Sequence, residues 1–308
     1  MTSPPRTTER NPLNPIVLLG PGRSGTTLLY KLLCMHPAVA FITNYHVRPL
    51  MRPFAPLALR YVPRDASLRR RAWFTTDGGA NLTRRSSLWR AIPTPVEGEA
   101  VYRACGLTLG ETTGPADERT QARLRQRFRQ IQKQHGASAL VLKRTANNRR
   151  IPAIASAFPD AKYVLIWRDG RAVANSLVRV EWWMDHQVWW AGGKTPREMN
   201  LDATGMIELA ANNWLQEVAA IERGLASVDS SRVLTIRYEN LIEYPRDVIT
   251  RVAQFAGLET SADYLAQVQE ARITAGRDRW KTSLSPSELA SIERTLEPTL
   301  RRLSYLEA

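Results

Sequence analysis

Four apolar residues in a row, Ile16 to Leu19, stop at a turn bounded by Gly20 and Gly25, and leucines then return at three-and-four spacing at positions 28, 29, 32 and 33. A short apolar run without polar alternation fits a strand buried on both faces, and the leucine stripe fits a helix that starts directly after the turn. The succession recurs along the chain. Leu140 to Leu142 and Tyr163 to Trp167 read as further buried strands, the second followed by a turn at Arg168 to Gly170 and a helix from Ala172 through Val180. Val39 to Thr43 gives a short strand, and RVLTIRYENL another that ends in Tyr238 and Glu239. Amphipathic patterns over 117–135, 204–228 and 286–303 predict helices, as does the stretch that Pro245 opens and Gly257 stops. Strands alternating with helices predict an α/β fold with a parallel sheet flanked by helices. Residues 49–100 keep no clean period and read as an irregular, mostly helical insertion.

Length and charge narrow this picture. At 308 residues with 44% hydrophobic, the chain can bury one substantial core, so a single domain over 16–308 is expected behind a loose, proline-rich tail over 1–15. The net charge of +14 favours polyanionic partners: nucleic acid, an anionic membrane or a multiply charged nucleotide. The arginines are scattered and no RNA- or DNA-reading signature occurs, so nucleic acid is not the expected partner. Cys34 and Cys105 supply neither a disulfide framework nor a clustered metal site and are expected as buried free thiols. The first fifteen residues lack the apolar core of a secretory signal, and no apolar run approaches the roughly 18 residues that cross a bilayer, so a soluble, cytoplasmic protein is expected.

Chemistry enters at the first turn. Gly20, Gly22 and Gly25 let the backbone approach a ligand, and the helix that follows offers unpaired N–H groups and the positive end of its dipole. That is an anion cradle. A nucleoside-triphosphate loop would read G-x-x-x-x-G-K-[ST], but Thr26 and Thr27 follow Gly25 and the cation sits earlier, as Arg23 beside Ser24. The RSGTT string resembles the 5′-phosphosulfate loop of sulfotransferases that use 3′-phosphoadenosine 5′-phosphosulfate (PAPS). The resemblance implies a P-loop-like sheet and assigns Arg23, Ser24, Gly25, Thr26 and Thr27 to the donor's phosphosulfate. A second segment supports it: AKYVLIWRDGRAVANS is similar to the family's 3′-phosphate motif, in which the first arginine and a serine eight residues on bind that phosphate, here Arg168 and Ser176. An arginine fork gives two charge-assisted hydrogen bonds to phosphate, and serine adds a compact donor. The YEN step places Tyr238 against adenine by the same resemblance, and the basic loop before residue 282 carries over Arg277 and Lys281.

The strand ALVLK delivers Lys143, the family's lysine at the bridging oxygen or sulfuryl group, but Thr145 stands where one branch has its catalytic histidine. The general base must then come from elsewhere. His46, at the end of the second strand, and Glu97, if desolvation raises its pKa, are the candidates, with Glu99 beside Glu97 and His186 as a weaker one. Trp182, Trp183, Trp189 and Trp190, followed by Gly192 and Gly193, could line a flat acceptor pocket or be core; a mixture is expected, with two of the four near substrate. The implied reaction moves a sulfuryl group from PAPS to the hydroxyl of a small alcohol, phenol, lipid or carbohydrate, with no metal, and the 49–100 insertion lies over the acceptor. A P-loop kinase or NTPase and a non-catalytic nucleotide-binding module stay open as alternatives, as does a homo-oligomer.

Overall fold

The computed structural model describes residues 13–74, 93–271 and 279–306. Strands β1 (Ile16–Leu19), β2 (Val39–Ala40), β3 (Ala139–Lys143), β4 (Lys162–Trp167) and β5 (Val233–Arg237) form one sheet in the order β2-β3-β1-β4-β5, parallel throughout. Successive side chains of a strand point to opposite faces, and both faces are covered. Val17 and Leu19 therefore join one core with Leu142, Leu165 and Trp214, while Ile16 and Leu18 join the other with Val141, Ile166 and Leu234. Each fully buried aliphatic side chain contributes roughly 1.5–3 kcal/mol, so β1, buried along its whole length, is the seam on which the two cores are hung. It lies between β3 and β4, where the strand order reverses, and the loops leaving these three strands open into one crevice.

The expected helices over 117–135, 204–228 and 286–303 are present as Glu118–His135, Ala203–Leu225 and Pro286–Arg302, each capped by an acid or serine side chain: Asp117, Asp202 and Ser285. The helix after β4 runs Gly170–Leu177, earlier than the pattern predicts, because the Asp169 carboxylate accepts the Arg171 N–H at 2.9 Å and caps it there. Gly170 is required by contact: a Cβ would meet the Trp214 ring at 2.8 Å. Two strands are shorter than expected. β2 ends at Ala40, since the chain leaves the sheet and Thr43 caps a short helix, Asn44–Val47. β5 ends at Arg237, and Tyr238 opens a helix to Glu243. In the insertion, 49–74 is a series of helical turns whose Arg70 pairs with Glu270 at 2.8 Å. No helix among the described residues is long and apolar enough to cross a membrane.

Candidate active site

The turn after β1 is shaped by contact. Gly20, at φ 150°, has no room for a side chain because the Ile166 carbonyl would lie 2.6 Å from its Cβ, and Gly25, at φ 89°, would drive a Cβ into the Tyr238 ring. The first intrahelical bond of α1 (Thr26–Cys34) runs from Leu29 N–H to the Gly25 carbonyl. The amides of Thr26, Thr27 and Leu28 therefore precede the ladder at a helix start, a ready anion site. Asn148 holds the other end of the turn: its side chain accepts the Gly20 N–H at 3.1 Å and donates to the Gly20 carbonyl at 2.9 Å.

The segment after β4 meets this turn directly. Arg168 donates to the Arg23 carbonyl at 2.8 Å, Arg23 donates from Nε to Ser176 Oγ at 3.1 Å, and the Arg168 guanidinium lies 4.2 Å over the Tyr238 ring. Arg23, at φ 68°, is one of the few non-glycine residues in the left-handed region. Burial, and then the neighbouring Arg168 charge, push its guanidinium pKa down. Two cations held this close are relieved by an anion between them. Arg23, Gly25, Thr26, Thr27, Arg168, Ser176 and Tyr238 all line one cleft of about 1320 Å³. Ser24 does not line it; its hydroxyl is buried without a hydrogen-bond partner among the described residues. From the later basic loop, Arg279 and Trp280 reach the cleft, whereas Lys281 is exposed outside the lining and Arg277 lies outside the described residues.

Lys143 reaches the same cleft from the end of β3. It donates to Thr27 Oγ1 at 3.1 Å and pairs with Glu97, whose second oxygen takes Arg144 at 2.8 Å. The sequence reading expects desolvation to raise the Glu97 pKa. Burial does push it up, but Lys143 and Arg144 outweigh burial and the net shift is down. Glu99 is tied to Arg144 and Arg150 instead. His46 is corrected outright: it is fully buried away from the cleft lining, with Nδ1 bonded to Thr43 and Nε2 to Gln134, both at 3.0 Å. Burial drives its pKa down to about 4, and with both nitrogens occupied it has no position from which to reach a substrate.

The opposite wall is aromatic. Trp182, Trp183 and Trp189 line the cleft, while Trp190 bonds to Asn213 at 3.1 Å and does not. His186 lines it too, stacked on Trp183 at 5.6 Å between centroids. Burial, then Arg149 and Arg144, lower its pKa, so it presents a neutral imidazole near pH 7. Glu217 is the residue that sequence reasoning missed. It comes from the long helix read as scaffold, is buried, and accepts from Arg149, from Trp189 at 2.9 Å and from Asn148 at 2.6 Å. The available signal was a carboxylate on the helix's otherwise apolar stripe, since a buried charge calls for partners.

A family model described as the sulfotransferase family matches residues 15–262. Among solved structures, the fold is similar to a sulfotransferase from Mycobacterium avium (19% identity, 94% of this chain and 76% of that one, TM-score 0.58). It is also similar to one from Mycobacterium tuberculosis (16% identity, 88% and 76%, TM-score 0.55). The sulfotransferase domain of the curacin biosynthetic pathway follows at 17% identity, covering 92% of this chain and 98% of its own, with a TM-score of 0.50. No curated protein matches the sequence. The matched span runs from the start of β1 past β5 and takes in both arginine-bearing turns; this chain belongs to the sulfotransferase family.

Proposed function

We propose that this enzyme transfers a sulfuryl group from PAPS to the hydroxyl of a small-molecule acceptor, releasing adenosine 3′,5′-bisphosphate. The observation that carries the reading is the meeting of Arg23, Arg168, Ser176 and Tyr238 in one cleft at the start of α1. A cradle closed to any side chain at Gly20 and Gly25, and two crowded arginines, suit a nucleotide with phosphate at both ends. Arg23, Gly25 and the amides of Thr26 and Thr27 would hold the 5′ end, with Ser24 supporting the loop. Arg168 and Ser176 would hold the 3′-phosphate and Tyr238 the adenine.

When bound, PAPS supplies an activated sulfur whose bond to the 5′-phosphate oxygen breaks. Lys143, already within reach of Thr27, stabilises the negative charge that gathers on that oxygen, a contribution larger in the transition state than in the ground state. Glu97 takes the acceptor's proton as the acceptor oxygen bonds to sulfur. Its basicity is held low while it is paired with Lys143 and Arg144; when Lys143 turns to the departing oxygen, one of the two opposing charges is withdrawn and the basicity rises. The Trp182, Trp183 and Trp189 wall positions the acceptor, with no metal required.

The test is mass spectrometry for the gain of one sulfo group across an acceptor panel incubated with enzyme and PAPS, beside a thermal-shift series. Stabilisation by adenosine 3′,5′-bisphosphate, and not by ATP with Mg²⁺, is expected. Stabilisation by ATP alone, or no sulfated product from any acceptor, would overturn the reading.

A further inference from the structure

Residues 48–71 carry a surface that the cleft does not use. Three helical turns, Arg52–Phe54, Ala55–Ala58 and Leu59–Tyr61, follow one another without a break. Ala55, Ala58, Leu59 and Val62 are buried at three-and-four spacing, and this inward stripe fixes the segment to the domain. A second apolar stripe has no such cover among the described residues: Leu50, Phe54, Leu57 and Tyr61 recur at the same spacing with exposures of 88%, 59%, 55% and 73%. Exposed apolar side chains scattered singly need no explanation, but four in register on one segment mark a contact surface.

Charge identifies the kind of partner. Between 48 and 71 stand seven arginines and one acid, Asp65. That carboxylate is already engaged, accepting the Ser67 hydroxyl at 2.6 Å and the Leu68 N–H at 3.0 Å as a helix cap. Arg48, Arg60 and Arg64 are exposed and make no ion pair with any carboxylate among the described residues. The basic field extends onto the Glu118–His135 helix, where burial, and then the neighbouring Arg52 charge, lower the Arg127 pKa. Arg52 Nε and Arg127 Nη2 are both buried without a hydrogen-bond acceptor among the described residues. An apolar stripe edged by arginines that lack carboxylates calls for a partner that is apolar within and anionic at its surface.

We propose that this face docks the enzyme on bilayers containing anionic lipid: Leu50, Phe54, Leu57 and Tyr61 enter the boundary between headgroups and acyl chains, and Arg48, Arg52, Arg60 and Arg64 pair with lipid phosphates. A second copy of this chain suits the face less well, because a two-fold contact would set the same arginines against each other with no acid to separate them. Nucleic acid would satisfy the arginines but leave the apolar stripe in water.

The experiment is flotation of the full chain with vesicles of phosphatidylcholine alone and of phosphatidylcholine mixed with phosphatidylglycerol, at low and high salt. Binding to the mixed vesicles, weakened by salt and poor on the neutral ones, is expected. Arg60→Gln and Arg64→Gln should each lower the partition coefficient about fivefold. Phe54→Ser with Leu57→Ser should lower it at both salt levels, because what is lost is buried apolar area. An unchanged thermal midpoint and unchanged adenosine 3′,5′-bisphosphate binding show that the variants are folded, whether or not that nucleotide proves to be the enzyme's product. The proposal is overturned by no flotation on anionic vesicles at low salt, by equal flotation on both vesicle types, or by variants that float as the parent does. It is equally overturned if sedimentation shows a dimer that Phe54→Ser with Leu57→Ser splits, or if only a protein carrying an acidic surface segment binds.

Discussion

The cleft side assigned to the donor takes its residues from stretches a few residues long: Gly20 to Thr27 after β1, Arg168 to Ser176 after β4, and Tyr238 after β5. The acceptor side takes Glu97, Trp182, His186 and Trp189 from segments that no strand end announces, held by long-range bonds such as Glu97 to Lys143 and Trp189 to Glu217. In the first case one strand-to-helix junction sets several groups at once. In the second, Glu97 and Trp189 each depend on a distant partner, while Trp182 and His186 pack on Trp183. Each side should therefore tolerate change in the other except where one residue, such as Asn148, bonds to both, and substitutions can test that separation.

The largest expected effect is at Glu97. Glu97→Gln should lower kcat by about 10²–10⁴ while the thermal shift with adenosine 3′,5′-bisphosphate persists; His186→Asn should raise the acceptor KM with kcat nearly kept. Single-turnover assays on both variants decide the matter, because the opposite pattern would make His186 the base and Glu97 only the partner of Lys143. Next comes Arg168→Ala, which removes charge-assisted bonds worth about 1.5–3 kcal/mol and should weaken bisphosphate binding by about 10–100-fold in calorimetry, leaving acceptor binding intact. If acceptor binding falls equally, the two sides are not separable.

A third prediction concerns the histidine that left the site. His46 has a folded pKa of about 4 against an ordinary 6.5, so the unfolded chain binds more protons throughout that window. Its contribution to stability is present above pH 6.5 and is lost as pH falls toward 4. Between about pH 7.5 and pH 5 the loss should reach about 2 kcal/mol in denaturant titrations. Burial lowers His36 and His135 too, and they add to the same slope. His46→Gln should flatten it in part; an unchanged slope would show that His46 titrates alike in the folded and unfolded chain. The smallest effect is expected for Trp182→Ala. Half exposed at the cleft wall, its ring should contribute about 1 kcal/mol of stacking, seen as an acceptor KM about fivefold higher.

This contrast also explains what the sequence could reveal. A buried parallel strand and the turn after it are written contiguously, so β1, β3, β4 and β5 and the residues at their ends could be read directly, and Lys143, Arg23 and Arg168 fell together in space. Tertiary pairing is not written locally. Nothing near Glu97 tells that Lys143 and Arg144 will lower its pKa, and nothing near His46 tells that Gln134, on a helix far along the chain, will claim its second nitrogen. Asn148 looks like any loop asparagine until Gly20 is placed against it. Glu217 sits in an apolar helix pattern that periodicity assigns to packing alone. The hydrophobic periods over 49–61 were unreadable for a related reason: two apolar stripes share one short segment, so neither stands out.

Asn148 joins the two halves with a stiffness that bears on redesign. It grips the backbone N–H and carbonyl of Gly20 and shares Glu217 with the Trp189 indole. Enlarging the cleft at Trp189 would leave the buried Glu217 carboxylate one donor short, with Arg149 and the Asn148 amide that anchors the Gly20 turn as its remaining donors. A wider acceptor range obtained there is expected to come with a higher bisphosphate dissociation constant, and titration calorimetry on Trp189→Phe would measure how far the two travel together.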